Sequence, residues 1–353
     1  MHRPHHLQAR RRRALGVPLS LASLALGAAA CSLPAIDLPV VKDPAPTTTT
    51  ALQTACPLTG TPAPPGGVPR RPALAVKVDN YPQARPQSGL DRADVVFEEP
   101  VEGAITRYVA VFQCQSPPQV GPIRSARNID IGILGQLGHP LLVSVGGIPP
   151  VLDNIENSPI TYFDLRTHAT VSQNPPGRFA PYDTYSDPAS LWGLDPTDTT
   201  PPAPLFTYSE SAPQGVPAQT VAIPFSATSN VLWRYDAGLH EYQRYYGTTP
   251  DLLADGTQNA ATNVIVQFVQ LSYGPWVENS EGGLEVQANL YMGASGEAEV
   301  FRDGVETAGT WQRSALGQPT QFVSPSGAPI DLAPGPTWVE LVPDTVSVIT
   351  DAP

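Results

Sequence analysis

Short runs of apolar residues, many of them β-branched, predict several strands in the first half of the chain. The three clearest runs are residues 73–78, 93–98 and 105–113. Apolar positions at helical spacing over 126–137 predict a helix, with Ser125 as its N-cap. Because strands and helices alternate in this part of the chain, we expect residues 68–205 to form a mixed α/β domain.

The second half of the chain has the pattern of β-hairpins. Residues 231–246 and 298–309 each predict two strands joined by a tight turn, the second across Asp303-Gly304. Further short strands follow, separated by glycine-containing turns, so we expect a smaller β-rich domain over 206–353. The predicted fold class is therefore α+β or α/β, with the mixed domain first and the β-rich domain second.

The first 30 residues have the pattern of an export signal. Four arginines at 10–13 precede an apolar stretch at 15–30, which ends in small residues directly before Cys31. This ending resembles a bacterial lipobox, whose cysteine carries lipid and becomes the mature N-terminus, although Ala28 stands where leucine is usual. An ordinary signal peptide cut after the alanines is the alternative. The first interpretation predicts a lipid-anchored protein of the cell membrane, facing outside the cytoplasm.

Residues 31–67 are rich in Pro, Thr and Ala and include four consecutive threonines. Such a composition predicts a tether between the membrane and a folded domain. The chain has three cysteines, an odd count for an exported protein. If Cys31 carries lipid, Cys56 and Cys114 remain as a disulfide candidate, since such bonds persist outside the cytosol. Two free thiols are the alternative.

Composition narrows the classes of function. Proline accounts for 42 of 353 residues, which excludes an all-helical protein, while 41% hydrophobic residues exclude a wholly disordered one. Twenty basic residues against 32 acidic ones argue against a nucleic-acid partner. Removing residues 1–30 takes away five arginines, so 15 basic residues remain against 32 acidic ones and the formal charge becomes −17. Any anion-binding site must therefore be local.

Acidic side chains near the predicted strand ends are candidates for chemistry. Asp79 and Asn80 end the first strand, where binding loops lie in many α/β folds, although Asp-Asn is also ordinary turn chemistry. Glu98, Glu99 and Glu102 lie close together in sequence and fit an acid/base pair or ligands for a hard cation. Solvated loop carboxylates are the alternative.

Three arginines are exceptional in so acidic a chain. Arg107 lies on a predicted strand, and Arg124 and Arg127 flank the predicted helix start. Guanidinium groups bind phosphate or carboxylate through paired N–H donors, so these residues predict an anion site. The alternative is that they pair internally with Glu98, Glu102 or Asp130.

Long segments resemble a known family. Residues 71–113 and 120–127 (VGPIRSAR) resemble the N-terminal domain of the YerB-like bacterial lipoproteins, which carry domain of unknown function 3048. Residues 297–313 and 330–343 resemble the C-terminal domain of the same family. The resemblance implies an exported lipoprotein with two domains.

A second similarity bears on chemistry. The order of strands, acids and arginines is similar to that of the LytR–CpsA–Psr ligases, which attach glycopolymers to peptidoglycan. Those enzymes place Arg and Asp around a lipid pyrophosphate and Mg²⁺. The similarity implies that Arg85, Asp94, Arg107, Arg124 and Arg127 face phosphate or metal.

Two functions remain as hypotheses. The first is a membrane-tethered accessory module of the cell envelope, without a cofactor, whose N-terminal domain holds an envelope ligand or protein partner in a polar cleft. The second is an envelope enzyme acting on a phosphate-linked or glycan substrate, with Asp79, Glu98 or Glu102 holding a divalent cation or moving protons. The second requires these acids and the three arginines to meet in one open pocket.

Overall fold

The computed structural model describes residues 54–351, so the export signal and Cys31 lie outside the described residues. Strands make up 39% of the fold and helices 10%. The first half of the described chain contains five strands and three short α-helices. They are β1 (Leu74–Asp79), β2 (Val95–Val101), β3 (Ile105–Phe112), α1 (Ile129–Leu134), β4 (Leu141–Ser144), α2 (Pro149–Glu156), β5 (Thr161–Asp164) and α3 (Pro188–Trp192).

The second half of the described chain is built from strands. They are β6 (Val216–Pro217), β7 (Thr220–Pro224), β8 (Asn230–Asp236), β9 (Glu241–Tyr246), β10 (Thr249–Pro250), β11 (Ala260–Ala261), β12 (Asn263–Val269), β13 (Leu271–Val277), β14 (Leu284–Ala288), β15 (Ala294–Arg302), β16 (Val305–Arg313), β17 (Gln321–Val323), β18 (Thr337–Pro343) and β19 (Ile349–Asp351). The predicted hairpins are present as β8–β9 and β15–β16.

One central sheet joins strands from both halves of the chain. Its order is β17-β16-β15-β12-β18-β2-β3-β1-β4-β5, and β6 pairs with β16 at the far end. The halves meet where β18 pairs in parallel with β2, which places Glu340 beside Glu98. The neighbours β12 and β18 are also parallel, as are β1, β4 and β5, whereas β3 is antiparallel to both β1 and β2.

Each face of the central sheet buries its own hydrophobic core, because side chains alternate between the faces along each strand. One face packs against a second, antiparallel sheet of order β10-β9-β8-β7-β19, with core residues such as Trp233, Trp338 and Tyr108. The opposite face packs against α1 and α2, with core residues such as Ile133 and Val109. The fold therefore has three layers.

The expected α/β class is corrected to a mostly β fold. The helix predicted over 126–137 is a six-residue α1 followed by a 3₁₀ turn. Its predicted start lies outside the helix, because the backbone N–H of Arg124 donates to Lys77 and that of Ala126 donates to Gly146. Ser125 caps no helix, and its hydroxyl donates to the Val145 carbonyl at 3.1 Å.

The last part of the expected tether is packed. A disulfide joins Cys56 to Cys114, which lies two residues after β3. Leu58 and Thr59 are fully buried between these cysteines in the sequence, and Ala55 bridges to Pro62. Composition alone predicted an unpacked tether here, because one disulfide and one buried leucine are enough to fix a short proline-rich segment.

Among the helices of residues 54–351, none has the length and apolar character needed to cross a membrane.

Candidate functional site

The carboxyl ends of β1, β2, β4 and β5 lie at one edge of the central sheet, because these strands all run in the same direction. The antiparallel β3 begins at this edge. Five side chains gather here, and we call them the carboxyl-edge cluster: Asp79, Glu102, Arg107, Arg124 and Arg127. Crevices outside the carboxyl ends of strands are frequent ligand sites in sheets of this kind.

Arg124 is placed by a segment that runs between the ends of β1 and β4. Its backbone N–H donates to the Lys77 carbonyl at 2.8 Å, and its carbonyl accepts from Val145 at 3.0 Å. Its side-chain Nε donates to Oδ2 of Asp79 at 2.9 Å, while the Asp79 Oδ1 accepts from the backbone of Tyr81. The Arg124 side chain is 28% exposed, and its two terminal nitrogens donate no hydrogen bond within residues 54–351. These nitrogens are therefore open to a ligand.

Arg107 lies deeper in the cluster. Its Nη1 donates to the Ser125 carbonyl at 3.1 Å, and its Nη2 is 3.7 Å from Glu102. Its Nε is buried and has no partner among the described residues. Burial and the neighbouring charge of Arg127 lower the pKa of Arg107 to about 10, so the guanidinium is still cationic at neutral pH.

Arg127 and Glu102 form the closed end of the cluster. The Arg127 Nε donates to Glu102 Oε2 at 2.9 Å and its Nη2 donates to Oε1, a bidentate pair. The backbone N–H of Arg127 donates to Asp130 at 2.7 Å. Although burial favours the neutral acid, the Arg127 hydrogen bonds and the charges of Arg107 and Arg127 hold the pKa of Glu102 below its usual value. Internal pairing of these arginines, the sequence-based alternative, is thus part of the structure.

A buried lysine lies beside the cluster, and sequence reasoning did not single it out. Lys77 Nζ donates to Asp130 Oδ1 at 2.6 Å and also to Glu99, and all three side chains are fully buried. Burial raises the pKa of Glu99 to about 8, and the Lys77 charge offsets part of this rise. A lysine in the middle of the apolar run LAVKVD was the available signal, because a buried lysine requires acidic partners.

Glu98 lies on the opposite face of the sheet, because it alternates with Glu99 along β2. Together with Arg244, Asp251 and Glu340 it forms what we call the Arg244 cluster. The two terminal nitrogens of Arg244 donate to Glu98 at 2.5 Å and to Asp251 at 2.6 Å. Glu340 accepts from the Trp233 indole at 2.9 Å. Burial and the charge of Glu98 raise the pKa of Glu340 well above its usual value.

Aromatic rings enclose the Arg244 guanidinium. Four ring centroids lie between 4.7 and 5.7 Å from its central carbon: those of Tyr108, Trp233, Tyr246 and Trp338. Asn80 and Arg85 belong to this face as well, because Asn80 donates to Glu98 at 3.2 Å and Arg85 lies 3.4 Å above the Tyr246 ring. Arg244 is fully buried, so the Arg244 cluster joins the two sheets internally.

Asp94 belongs to neither cluster. Its carboxylate accepts from the backbone N–H groups of Gln113 and Cys114, next to the disulfide. Burial raises the pKa of Asp94 to about 6, against the effect of these backbone hydrogen bonds. This geometry gives Asp94 a role in holding the end of β3.

The candidate residues therefore divide between separate places. Asp79, Glu102 and the three arginines meet at the carboxyl edge, whereas Glu98 is sealed on the other face. The enzyme hypothesis required all six in one open pocket, and this geometry does not provide it. Within residues 54–351, no group of three or more His, Cys, Asp or Glu side chains is arranged to hold a metal ion.

A cavity of about 350 Å³ borders the cluster at Glu102. The turn between β2 and β3 forms one wall, and the hairpin β13–β14 forms another. Its apolar lining includes Val101, Ile105, Phe225, Leu284 and Val286. Glu102 is the one charged residue in this lining, and Arg127 already neutralises it.

Comparison with known proteins places the chain. A family model described as "Protein of unknown function (DUF3048) N-terminal domain" matches residues 58–199, and the corresponding C-terminal domain matches 221–339. The "Putative lipoprotein YerB" of Bacillus subtilis strain 168 is 30% identical over 314 residues, which cover 86% of this chain and 90% of that protein. The chain belongs to the DUF3048 family. The resemblance inferred from the sequence is thereby confirmed for both DUF3048 domains.

The fold of the family is also shared. The crystal structure of the YerB protein from Bacillus subtilis matches with a TM-score of 0.71 at 24% identity. The match covers 84% of this chain and 99% of that one. The mostly β architecture described above is therefore the fold of a DUF3048 protein.

Proposed function

We propose that this DUF3048 protein is a lipid-anchored accessory protein of the cell envelope that binds an anionic ligand at the carboxyl-edge cluster. One observation carries the binding function: the Arg124 side chain is 28% exposed, and its two terminal nitrogens donate no hydrogen bond within residues 54–351. Arg107 adds a buried nitrogen, Nε, that has no partner in the part of the chain that the structure describes. Phosphate and carboxylate groups fit such paired N–H donors.

The anchor rests on separate support. The first 30 residues have the pattern of an export signal that ends at Cys31, and the Bacillus relative carries the word lipoprotein in its name. A disulfide between Cys56 and Cys114 fits a compartment outside the cytosol. The strongly acidic composition fits the same place, because a net negative protein stays soluble.

The division of the candidate acids favours binding over catalysis. Asp79 and Glu102 are each held by an arginine, so neither is free to shuttle a proton. Glu98 is enclosed by Arg244 and Thr106 on the other face. This geometry supports ligand binding, because the arginines offer positive charge to a ligand and the acids hold the arginines in position.

The binding function is tested with Arg124→Ala and inorganic orthophosphate as the probe. Because a hydrogen-bonded charge pair contributes about 1.5–3 kcal/mol, we expect the Kd for orthophosphate, measured by calorimetry, to rise about tenfold or more. The matched control is Arg92→Ala, whose side chain is 61% exposed and pairs only with Asp91 within the described residues. Equal affinity of wild type and Arg124→Ala would overturn the site.

The anchor is tested with Cys31→Ser in the full chain. We expect the variant to leave the membrane fraction, since a Ser side chain cannot carry the thioether-linked lipid. The control is Ser32→Ala, which changes the neighbouring residue and keeps the cysteine. Retention of Cys31→Ser in washed membranes, measured by fractionation and immunoblotting, would contradict the lipid anchor.

A further inference from the structure

The hairpin β13–β14 is a cover over the Arg127 end of the carboxyl-edge cluster. Its two strands pair with each other and form a separate two-stranded sheet outside the central one. The hairpin approaches the cluster closely, since a Cβ at Gly283 would lie 3.0 Å from the Glu102 Cβ.

Glu278, which directly follows β13, is the charged group that the hairpin brings to the cluster. Its side chain is 1% exposed, and Oε2 lies 3.5 Å from the Arg127 Nε. Neither of its oxygens accepts a hydrogen bond within residues 54–351. A buried carboxylate without hydrogen bonds is unfavourable, and burial raises the pKa of Glu278 accordingly. Glu278 thus faces the arginines without being well bound by them.

The Arg127 guanidinium contacts two carboxylates, Glu102 and Glu278, and holds them differently. Glu102 takes two hydrogen bonds from Arg127, whereas Glu278 remains at ion-pair distance only. An external anion that took the place of Glu278 would release this buried carboxylate to water. The exchange would hydrate Glu278, which would give up no hydrogen bond and only its 3.5 Å ion pair with Arg127.

We infer that Glu278 occupies a second anion subsite, next to Arg127, which an acidic group of the ligand takes over when the hairpin lifts. The inference rests on the proposed function, because it places the first acidic group at Arg124. The ligand class is therefore a compound with two acidic groups joined by a short linker.

The position of Arg107 supports a ligand of this kind. Arg107 lies near both subsites, since its backbone pairs with that of Asp79, the partner of Arg124, and its side chain shares the Ser125 carbonyl with Arg127. Its unpartnered Nε is a further donor for the bridging part of such a ligand. A ligand with one acidic group would engage Arg124 and leave Glu278 in place.

The test compares Glu278→Gln with wild type, using inorganic pyrophosphate and orthophosphate as probes in calorimetry. Removing the competing charge should tighten pyrophosphate binding about tenfold and change orthophosphate binding less than about twofold. The control is Glu281→Gln, an exposed acid on the same hairpin, which should change neither. In wild-type protein, pyrophosphate should also speed amide hydrogen exchange over 271–288, and orthophosphate should not.

The outcomes separate this inference from the proposed function. If Glu278→Gln binds pyrophosphate no more tightly than wild type and exchange over 271–288 does not change, the second subsite is overturned. Loss of orthophosphate binding in Arg124→Ala would still support the first. If neither probe binds wild type or Glu278→Gln, the proposed function fails together with the inference.

Discussion

Two arginines on opposite faces of the central sheet show how enclosure separates a structural ion cluster from a binding site. Arg244 and Arg124 each pair with a carboxylate of the sheet, Glu98 for the first and Asp79 for the second. Arg244 is fully buried among four aromatic rings, with both terminal nitrogens bonded to acids. Arg124 is partly exposed and uses only its Nε.

The difference follows from what covers each face. The second sheet lies over the Arg244 cluster, so any charge there must find its partners inside the protein. At the carboxyl edge the strands end, and the backbone of the segment before α1 leaves one side of Arg124 open. An arginine–carboxylate pair therefore stabilises the fold in the Arg244 cluster and, in our proposal, contributes to ligand binding at the carboxyl edge.

The largest expected effect is the loss of stability in Arg244→Leu. Removing Arg244 leaves the buried Glu98 and Asp251 without their cationic partner, and breaking such a buried ion pair costs about 3–5 kcal/mol in comparable proteins. We expect the free energy of unfolding in urea to fall by this amount.

Two matched variants sharpen that result. Arg234→Leu removes an exposed arginine on the neighbouring strand β8, where Arg234 lies 4.9 Å from the Tyr245 ring, and should cost less than about 1 kcal/mol. Arg124→Ala should cost about 1–3 kcal/mol, because the buried Asp79 loses one donor but keeps the backbone N–H of Tyr81. Comparable losses for all three variants would break the distinction between the clusters.

A smaller effect concerns pH. Burial beside Glu98 raises the pKa of Glu340, and burial raises that of Glu99 to about 8. A raised native pKa gives stability that is complete below the usual value near 4.5 and is lost as pH rises through the native value. We therefore expect the free energy of unfolding to decrease between pH 5 and pH 8.

Glu340→Gln isolates one contribution to this slope. The amide keeps an oxygen for the Trp233 indole and supplies a donor to Glu98, as the protonated acid does. The variant should match wild type near pH 5, exceed its stability at pH 8 by about 1–2 kcal/mol, and show a flatter pH profile. Identical slopes for both proteins in urea titrations would show that Glu340 does not titrate in this range.

Local sequence patterns were enough to place the main strands. The runs at 73–78 and 105–113 correspond to β1 and β3 within one or two residues, because alternating apolar positions and turn residues are local signals. The arginines at the carboxyl edge were also accessible, since three of them stand out in an acidic chain. The sequence left two alternatives for these arginines: binding an external anion, or pairing with internal carboxylates such as Glu102.

The rest depended on contacts that no local pattern contains. Glu98 meets Arg244 only because β9 packs over β2, and it meets Glu340 only because β18 pairs with β2. The helix predicted from Ser125 was wrong at its start because tertiary hydrogen bonds to Lys77 and Gly146 hold that segment outside the helix. Glu278 likewise gains its importance from the packing of a hairpin whose own sequence shows only strands and a turn.

The disulfide has a mechanical consequence for a protein pulled by its N-terminal side. Tension applied to the chain before Cys56 passes through the sulfur atoms to Cys114, because that covalent path is the shortest one. The loop from 57 to 113, which contains β1, β2 and β3, lies off this load path. Drag on the folded body therefore does not peel the central strands from their neighbours, and the residues of the carboxyl edge that these strands carry keep their positions under load.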